Sequence, residues 1–265
     1  MKKRNQLFTH DRLGTLAEEY HLASCNLAGF KHLLREHLVH YSEKIQKLVA
    51  DAPLHLKEAS RELLPSARAA ATMPLEDAIT RRVSSRRFGI SLLPREELAT
   101  LLYLGNSVRS VHHHDGSVSY QRNVPNSGNL GSVEVYPIIM NVEGIEPGIY
   151  HYDSVNHDLA ELHTGNFATW LRERVFFQVE FSEPSVALVL VASTGRLTTK
   201  YGLRGYRLGL LDTGHVSQNI YLVATALGLP VCATAGFIDD ELNAAIGVDG
   251  LESAAMLVLL IGSSD

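Results

Sequence analysis

Cysteine is nearly absent: the 265 residues hold two, Cys25 and Cys232, far apart and outside any C-x-x-C spacing. That pattern excludes a disulfide framework and a zinc knuckle, and it fits a reducing compartment. No stretch reaches the roughly 18 apolar residues of a membrane span. The opening Met1-Lys2-Lys3-Arg4-Asn5 leads into polar residues rather than an apolar signal core, so the expectation is a cytoplasmic protein with no membrane partner. Positive charge is not in excess either. The 24 Lys+Arg face 29 Asp+Glu, a formal net charge of −5, which leaves no bulk field to hold a nucleic-acid backbone. What remains is a globular composition, 45% hydrophobic and 20% charged, in a chain long enough to bury a core.

Leu34, Leu38, Tyr41, Ile45 and Leu48 recur at spacings of four, three, four and three, and predict an amphipathic helix from Phe30 to Ala50. His37 and His40 sit on it at i, i+3, but no Asp, Glu or Cys completes a ligand set there, so no metal site is expected. Residues 51–74, punctuated by Pro53, Pro65 and Pro74, read as short helix, break and connector. A boundary near residue 74 would divide an N-terminal helical segment, 1–74, from the main domain, 75–265.

Leu75 to Val83 predicts a short helix, and Pro94-Arg95-Glu96-Glu97 opens another through Leu104. Residues 105–128, rich in Gly, Ser, His and Asn, read as a long loop. Val133 to Met140, Gly148 to Asp153 and Asp158 to His163 predict a strand meander. Ser185 to Ala192 is continuous and β-branched, as a central strand covered on both faces should be. Tyr206 to Leu227, apolar nearly all round and stopped by Gly228, predicts an interior helix, and Met256 to Ile261 a last strand. Without β-α-β alternation or a G-x-G-x-x-G turn, the fold class is an α+β layered domain and not a Rossmann domain.

Three stretches could carry chemistry. Arg81, Arg82, Arg86 and Arg87, interrupted by Ser84 and Ser85, suit a phosphate, because guanidinium forks bind its oxygens through charge-assisted pairs. They equally suit the negative end of a helix dipole. Arg122-Asn123-Val124-Pro125-Asn126-Ser127-Gly128-Asn129-Leu130 could line a planar heterocycle or form an ordinary turn. Lys200-Tyr201, read as the end of a polar link, could be a base in which the ammonium lowers the phenol pKa, or plain surface. No G-x-S-x-G elbow supports a hydrolase, and His112-His113-His114 lacks a second cluster for a metal.

Taken in order, these stretches resemble the flavin-dependent azoline dehydrogenases of the nitroreductase superfamily, the streptolysin-type and microcin-type thiazoline/oxazoline oxidases. The resemblance runs over about residues 75–262. It is carried by Arg82-Val83-Ser84-Ser85-Arg86-Arg87-Phe88, Arg122-x-x-Pro125-Asn126-Ser127-Gly128, Gly148-Ile149-Tyr150-His151-Tyr152 and Lys200-Tyr201-x-x-Arg204-Gly205-Tyr206-Arg207, then by Gly214-His215-x-x-Gln218-Asn219 and Gly236-Phe237.

It implies a nitroreductase-like FMN-binding fold: a central, antiparallel-rich sheet packed by helices around the long helix, assembled as a homodimer with FMN at the interface. By the same resemblance Arg82, Ser84 and Arg86 hold the FMN phosphate; many nitroreductases add a basic residue near the C-terminus, and since Gly262-Ser263-Ser264-Asp265 offers none, that role is expected to pass to Arg82, Arg86 and Arg204 or Arg207. Pro125, Asn126, Ser127 and Gly128 line the isoalloxazine, with Gln218 and Gly236 in the cofactor set, and Lys200 and Tyr201 are catalytic. Asn126 stands where that loop usually carries Ser. The implied activity is oxidation of thiazolines and oxazolines in a precursor peptide to thiazoles and oxazoles, in company with a cyclodehydratase complex. The alternatives are an NAD(P)H-dependent nitroreductase or flavin reductase, and a flavin-free binding partner of a cyclodehydratase.

Overall fold

The computed structural model describes residues 19–25, 56, 59–66, 73–114, 117–177 and 183–264. The expected helix over residues 30–50, with His37 and His40, lies outside the described residues. In chain order the elements are β1 (Arg61–Leu63), α1 (Leu75–Arg81), α2 (Arg95–Asn106), β2 (Val108–His114), β3 (Ser117–Arg122), β4 (Val133–Ile139), β5 (Gly148–Asp153) and β6 (Asp158–Thr164). A short helical stretch, Ala168–Trp170 running into a π turn over Leu171–Val175, precedes β7 (Val186–Ala192). Then follow α3 (Thr194–Tyr201), α4 (Arg204–Leu227), β8 (Val231–Thr234), α5 (Asp239–Ile246) and β9 (Ala254–Ile261).

Seven strands form one sheet in the order β1-β6-β5-β4-β7-β9-β8, with each neighbouring pair antiparallel. The continuous apolar run of β7 is explained by its two faces. Val186, Leu188 and Leu190 enter one core with Leu98, Leu101 and Leu102 of α2 and Val216, Ile220 and Ala224 of α4. Ala187, Val189 and Val191 enter the other with Leu242 and Ile246 of α5 and Leu171 and Val175. A strand covered on both sides needs no polar alternation. Pro94 caps α2, whose Glu96 and Glu97 answer the helix dipole, and Gly228 ends α4 in the left-handed region at φ 75°.

Four expectations are corrected. Residues 105–128 are not a long loop: β2 and β3 make a hairpin outside the main sheet, with Val111 opposite Tyr120 and His112 opposite Ser119. Its residues are mostly exposed, and a cross-strand Ser110–Gln121 hydrogen bond of 2.9 Å stands where apolar burial would otherwise leave a pattern. The stretch read as short helix and connector contains β1, tied to β6 by strand pairing and by Arg61–Asp158 at 2.7 Å. Lys200-Tyr201 closes helix α3 rather than a polar link. Finally, α4 is not interior all round. It buries Gly205, Gly209, Asp212, Val216 and Ile220, while Tyr206, Leu210 and Leu211 stay exposed.

Candidate active site along the long helix

After α1 the chain runs extended past β8, with the Ser85 N–H donating to Val231 O at 2.9 Å. Successive side chains therefore point to opposite sides. Arg82 lays its guanidinium over the Tyr221 ring, 5.6 Å from the centroid, and Ser84 Oγ lies 2.9 Å from Tyr221 Oη. The Ala233 N–H donates to the same phenol oxygen at 2.7 Å, tying Tyr221 of α4 to β8. Arg86 lies beside Cys232, whose thiol is pushed up by burial against the opposing pull of that guanidinium. The intervening Arg81, Val83, Ser85 and Arg87 instead line a cleft of about 530 Å³ on the other face.

Nearer the start of α4, the Pro125–Gly128 turn is held by buried Asp212. This carboxylate accepts from the Ser127 N–H and the Ser127 hydroxyl, both at 2.9 Å, and from the Ser132 hydroxyl at 2.6 Å. Asn126 Oδ1 accepts from the Gly131 N–H at 2.9 Å, closing the turn from the other side. Gly128 has φ 61°, and a Cβ there would lie 2.1 Å from Tyr201 Oη and 2.8 Å from Lys200 Nζ. Only glycine fits, and the turn thereby touches the Lys-Tyr pair.

Arg196, one turn earlier on α3, donates to the carbonyls of Gly131 at 2.8 Å and Leu130 at 3.2 Å, and its guanidinium lies 3.4 Å from Glu134. Burial alone would raise the Glu134 carboxyl. Its 3.0 Å hydrogen bond to His151 and the charges around it, Arg196 and Arg122 included, outweigh burial and hold the group below the ordinary carboxylate range.

Lys200 Nζ lies 5.4 Å from the centre of the Tyr201 ring. The expected lowering of the Tyr201 pKa is nevertheless reversed: burial first, and then the Asp212 carboxylate, push the phenol up. Neither was visible in a Lys-Tyr dipeptide. Asp212 itself escaped the sequence reading, although one signal was present, a lone acidic residue directly after the apolar Leu208-Gly209-Leu210-Leu211 run.

Arg204 and Arg207 do not join Arg82, Ser84 and Arg86 within this chain. Arg204 donates to Ser24 O at 3.0 Å, and Arg207 donates to His21 O at 3.1 Å and to Ser24 Oγ. With Tyr20 edge-on to Tyr206 at 5.6 Å, they fasten residues 19–25 across the start of α4. Arg207 stands about four helical turns, ~21 Å, from Tyr221. Gln218 is exposed on α4 between Asp212 and Tyr221. Gly236 lies beyond β8, its N–H donating to Thr234 Oγ1 at 3.0 Å.

The two groups of site residues thus lie along one helix, about 13 Å apart from Asp212 to Tyr221 by helical rise. A second cleft, of about 770 Å³, joins Pro125 and Asn126 to Arg109, His112, Gln121 and Asn123 around the hairpin. The hairpin lining was missed in the sequence because its strands were read as loop. Among the described residues no cluster of three or more His, Cys, Asp or Glu could hold a metal, and no helix is long and apolar enough to cross a membrane.

A sequence model of the family described as "Nitroreductase family" matches residues 79–263. A Methanocaldococcus jannaschii protein named as a nitroreductase, MJ1384, is 30% identical over 169 residues, spanning 64% of this chain and 82% of its own. The microcin B17-processing protein McbC of Escherichia coli is also 30% identical, over 54% of this chain and 55% of that protein. Among solved structures, the E. coli microcin synthetase McbBCD complex with truncated pro-MccB17 bound contains a chain that superposes at a TM-score of 0.60. That superposition covers 98% of this chain and 96% of the other, at 23% identity.

Proposed function

From the premise that the chain belongs to the nitroreductase family and has its fold, we propose that it is an FMN-dependent dehydrogenase that oxidises thiazolines and oxazolines of a precursor peptide to thiazoles and oxazoles. The observation that carries this reading is the contact of the Gly128 turn with the Lys200 and Tyr201 heads, which sets proton-transfer groups against a backbone suited to a flat ring. The name of McbC as a microcin-processing protein supports the peptide substrate, and the McbBCD complex supports a cyclodehydratase partner.

The donor set fits FMN. Arg82, Arg86 and Ser84 offer two cations and a hydroxyl for a phosphate, and Asn126 and the Ser127–Gly128 backbone offer polar edges for an isoalloxazine. Gln218 lies between them on α4. The exposed Tyr206, Leu210 and Leu211 are the face on which a second copy packs, giving a homodimer that brings further residues to the ~13 Å span between the two groups. The hairpin cleft, open beside Pro125 and Asn126, is the approach for the peptide.

Aromatising an azoline removes a proton from its acidic Cα and two electrons with the second hydrogen. Bound FMN supplies the two-electron acceptor. Tyr201 Oη takes the Cα proton, and Lys200 beside it stabilises the phenolate that does so. Because burial and Asp212 push the phenol up, Tyr201 is a strong base once ionised and a scarce one at neutral pH. Turnover therefore rises as the solution becomes alkaline. Tyr201→Phe should retain the flavin absorption bands and lose oxidation of a synthetic thiazoline peptide by about 100-fold or more. A colourless protein that takes up no FMN removes the reading altogether. The resemblance to MJ1384 favours a second reading, an NAD(P)H-dependent nitroreductase. Rapid bleaching of the flavin by NADPH with no oxidation of the peptide would select it.

A further inference from the structure

We propose that Asp212 is a positioning residue for the Lys200–Tyr201 pair, holding from the middle of α4 the turn on which the Tyr201 hydroxyl rests. It deepens the reading of Tyr201 as proton acceptor and rests on it. Asp212 is 3% exposed and accepts three hydrogen bonds, from the Ser127 N–H, the Ser127 hydroxyl and the Ser132 hydroxyl. Among the described residues no Lys, Arg or His makes an ion pair with it. A buried carboxylate without a cation is costly, and a leucine would fill the same helix position without that cost. Packing therefore does not account for the residue. Its donors do: two of the three belong to Ser127, whose neighbour Gly128 is the residue against which the Tyr201 hydroxyl lies.

Among the described residues this carboxylate is the one anion that acts on the phenol. Tyr201 packs against a small core of Leu130 and Leu197 of α3, which Leu208 of α4 also joins, and none of these carries a charge. Lys200 is the neighbouring cation. Arg196 is turned to the carbonyls of Leu130 and Gly131, and Arg204 and Arg207 to residues 21 and 24. Asp212 thus does two things with one group. It fixes the turn under the hydroxyl, and its charge adds to burial in pushing the Tyr201 phenol up.

The test uses the full chain labelled with ¹³C at tyrosine Cζ, with the Tyr201 resonance assigned by its loss in Tyr201→Phe. In Asp212→Asn the titration midpoint of Tyr201 should move to lower pH. With FMN and a synthetic thiazoline-4-carboxamide peptide, the alkaline rise in kcat should move with it, while kcat at its plateau falls about tenfold and KM changes little. An unchanged Tyr201 midpoint in folded Asp212→Asn overturns the proposal. Should Asp212→Asn not fold, Ser127→Ala combined with Ser132→Ala keeps the charge and strips both hydroxyl donors. That variant should lose kcat several-fold, and an unchanged kcat likewise overturns the proposal. The tyrosine titration needs neither flavin nor peptide, so failure of the Asp212 inference is distinguishable from failure of the azoline reading.

Discussion

At the Tyr221 end of α4 the site is made of side chains that reach over the surface: a guanidinium on a ring face, a serine hydroxyl on a phenol, a second arginine beside a thiol. At the Asp212 end it is made of backbone. One buried carboxylate and one arginine grip main-chain groups of the Ser127–Gly131 stretch, and a glycine with positive φ abuts a tyrosine. The difference teaches where tolerance lies. Long exposed side chains can be exchanged without moving the chain, so the Tyr221 end should govern affinity for an anion and little else. Backbone held by buried charge cannot shift without losing several bonds together, so the Asp212 end should couple stability to turnover.

The largest effect is expected where the two couple. Gly128→Ala forces a methyl against Tyr201 Oη in a left-handed backbone, so turnover should fall about 100-fold. Thermal denaturation should show a loss of about 1–2 kcal/mol. A variant with wild-type turnover would break the contrast. Next, Arg82→Ala and Arg86→Ala should each weaken FMN binding roughly tenfold or more in a flavin-fluorescence titration, with denaturant midpoints nearly unchanged. If either variant unfolds the chain instead, the Tyr221 end is structural.

Glu134→Gln sharpens the comparison through pH. The native carboxyl is lowered, so its contribution to stability is full above the ordinary carboxylate range and is lost as pH falls through the lowered value. The variant should therefore be less stable by about 1–2 kcal/mol at neutral pH and should converge with the wild type in acid, as read by urea denaturation. A difference that stays constant with pH would remove the charge from that account. The smallest effect belongs to a site remote from both ends: Arg61→Ala breaks a partly exposed pair with Asp158 and should cost under about 1 kcal/mol without touching FMN binding.

What could be read from the amino acids alone followed from burial. The run Val186–Ala192 and the apolar length of α4 announced themselves because water is excluded from one or both faces, and periodicity records that. The β2–β3 hairpin and β1 were missed because their residues face solvent, where strand and loop compositions coincide. Residue types in the site were legible as motifs, and Gly128 and Tyr201 do meet. The direction of the Tyr201 shift was not legible, since it depends first on burial and then on Asp212, eleven positions away and brought near by the return of α4 past α3. The partners of Arg204 and Arg207 within the chain were not legible for a similar reason: a basic pair shows its charge in the sequence but not which carbonyls it faces.

The most direct measurement is the mass of a synthetic thiazoline peptide after incubation with the FMN-loaded protein. The account predicts loss of two hydrogens from the peptide in the wild type, and no such loss in Tyr201→Phe carrying the same flavin. A peptide of unchanged mass alongside a fully loaded wild-type protein would contradict it.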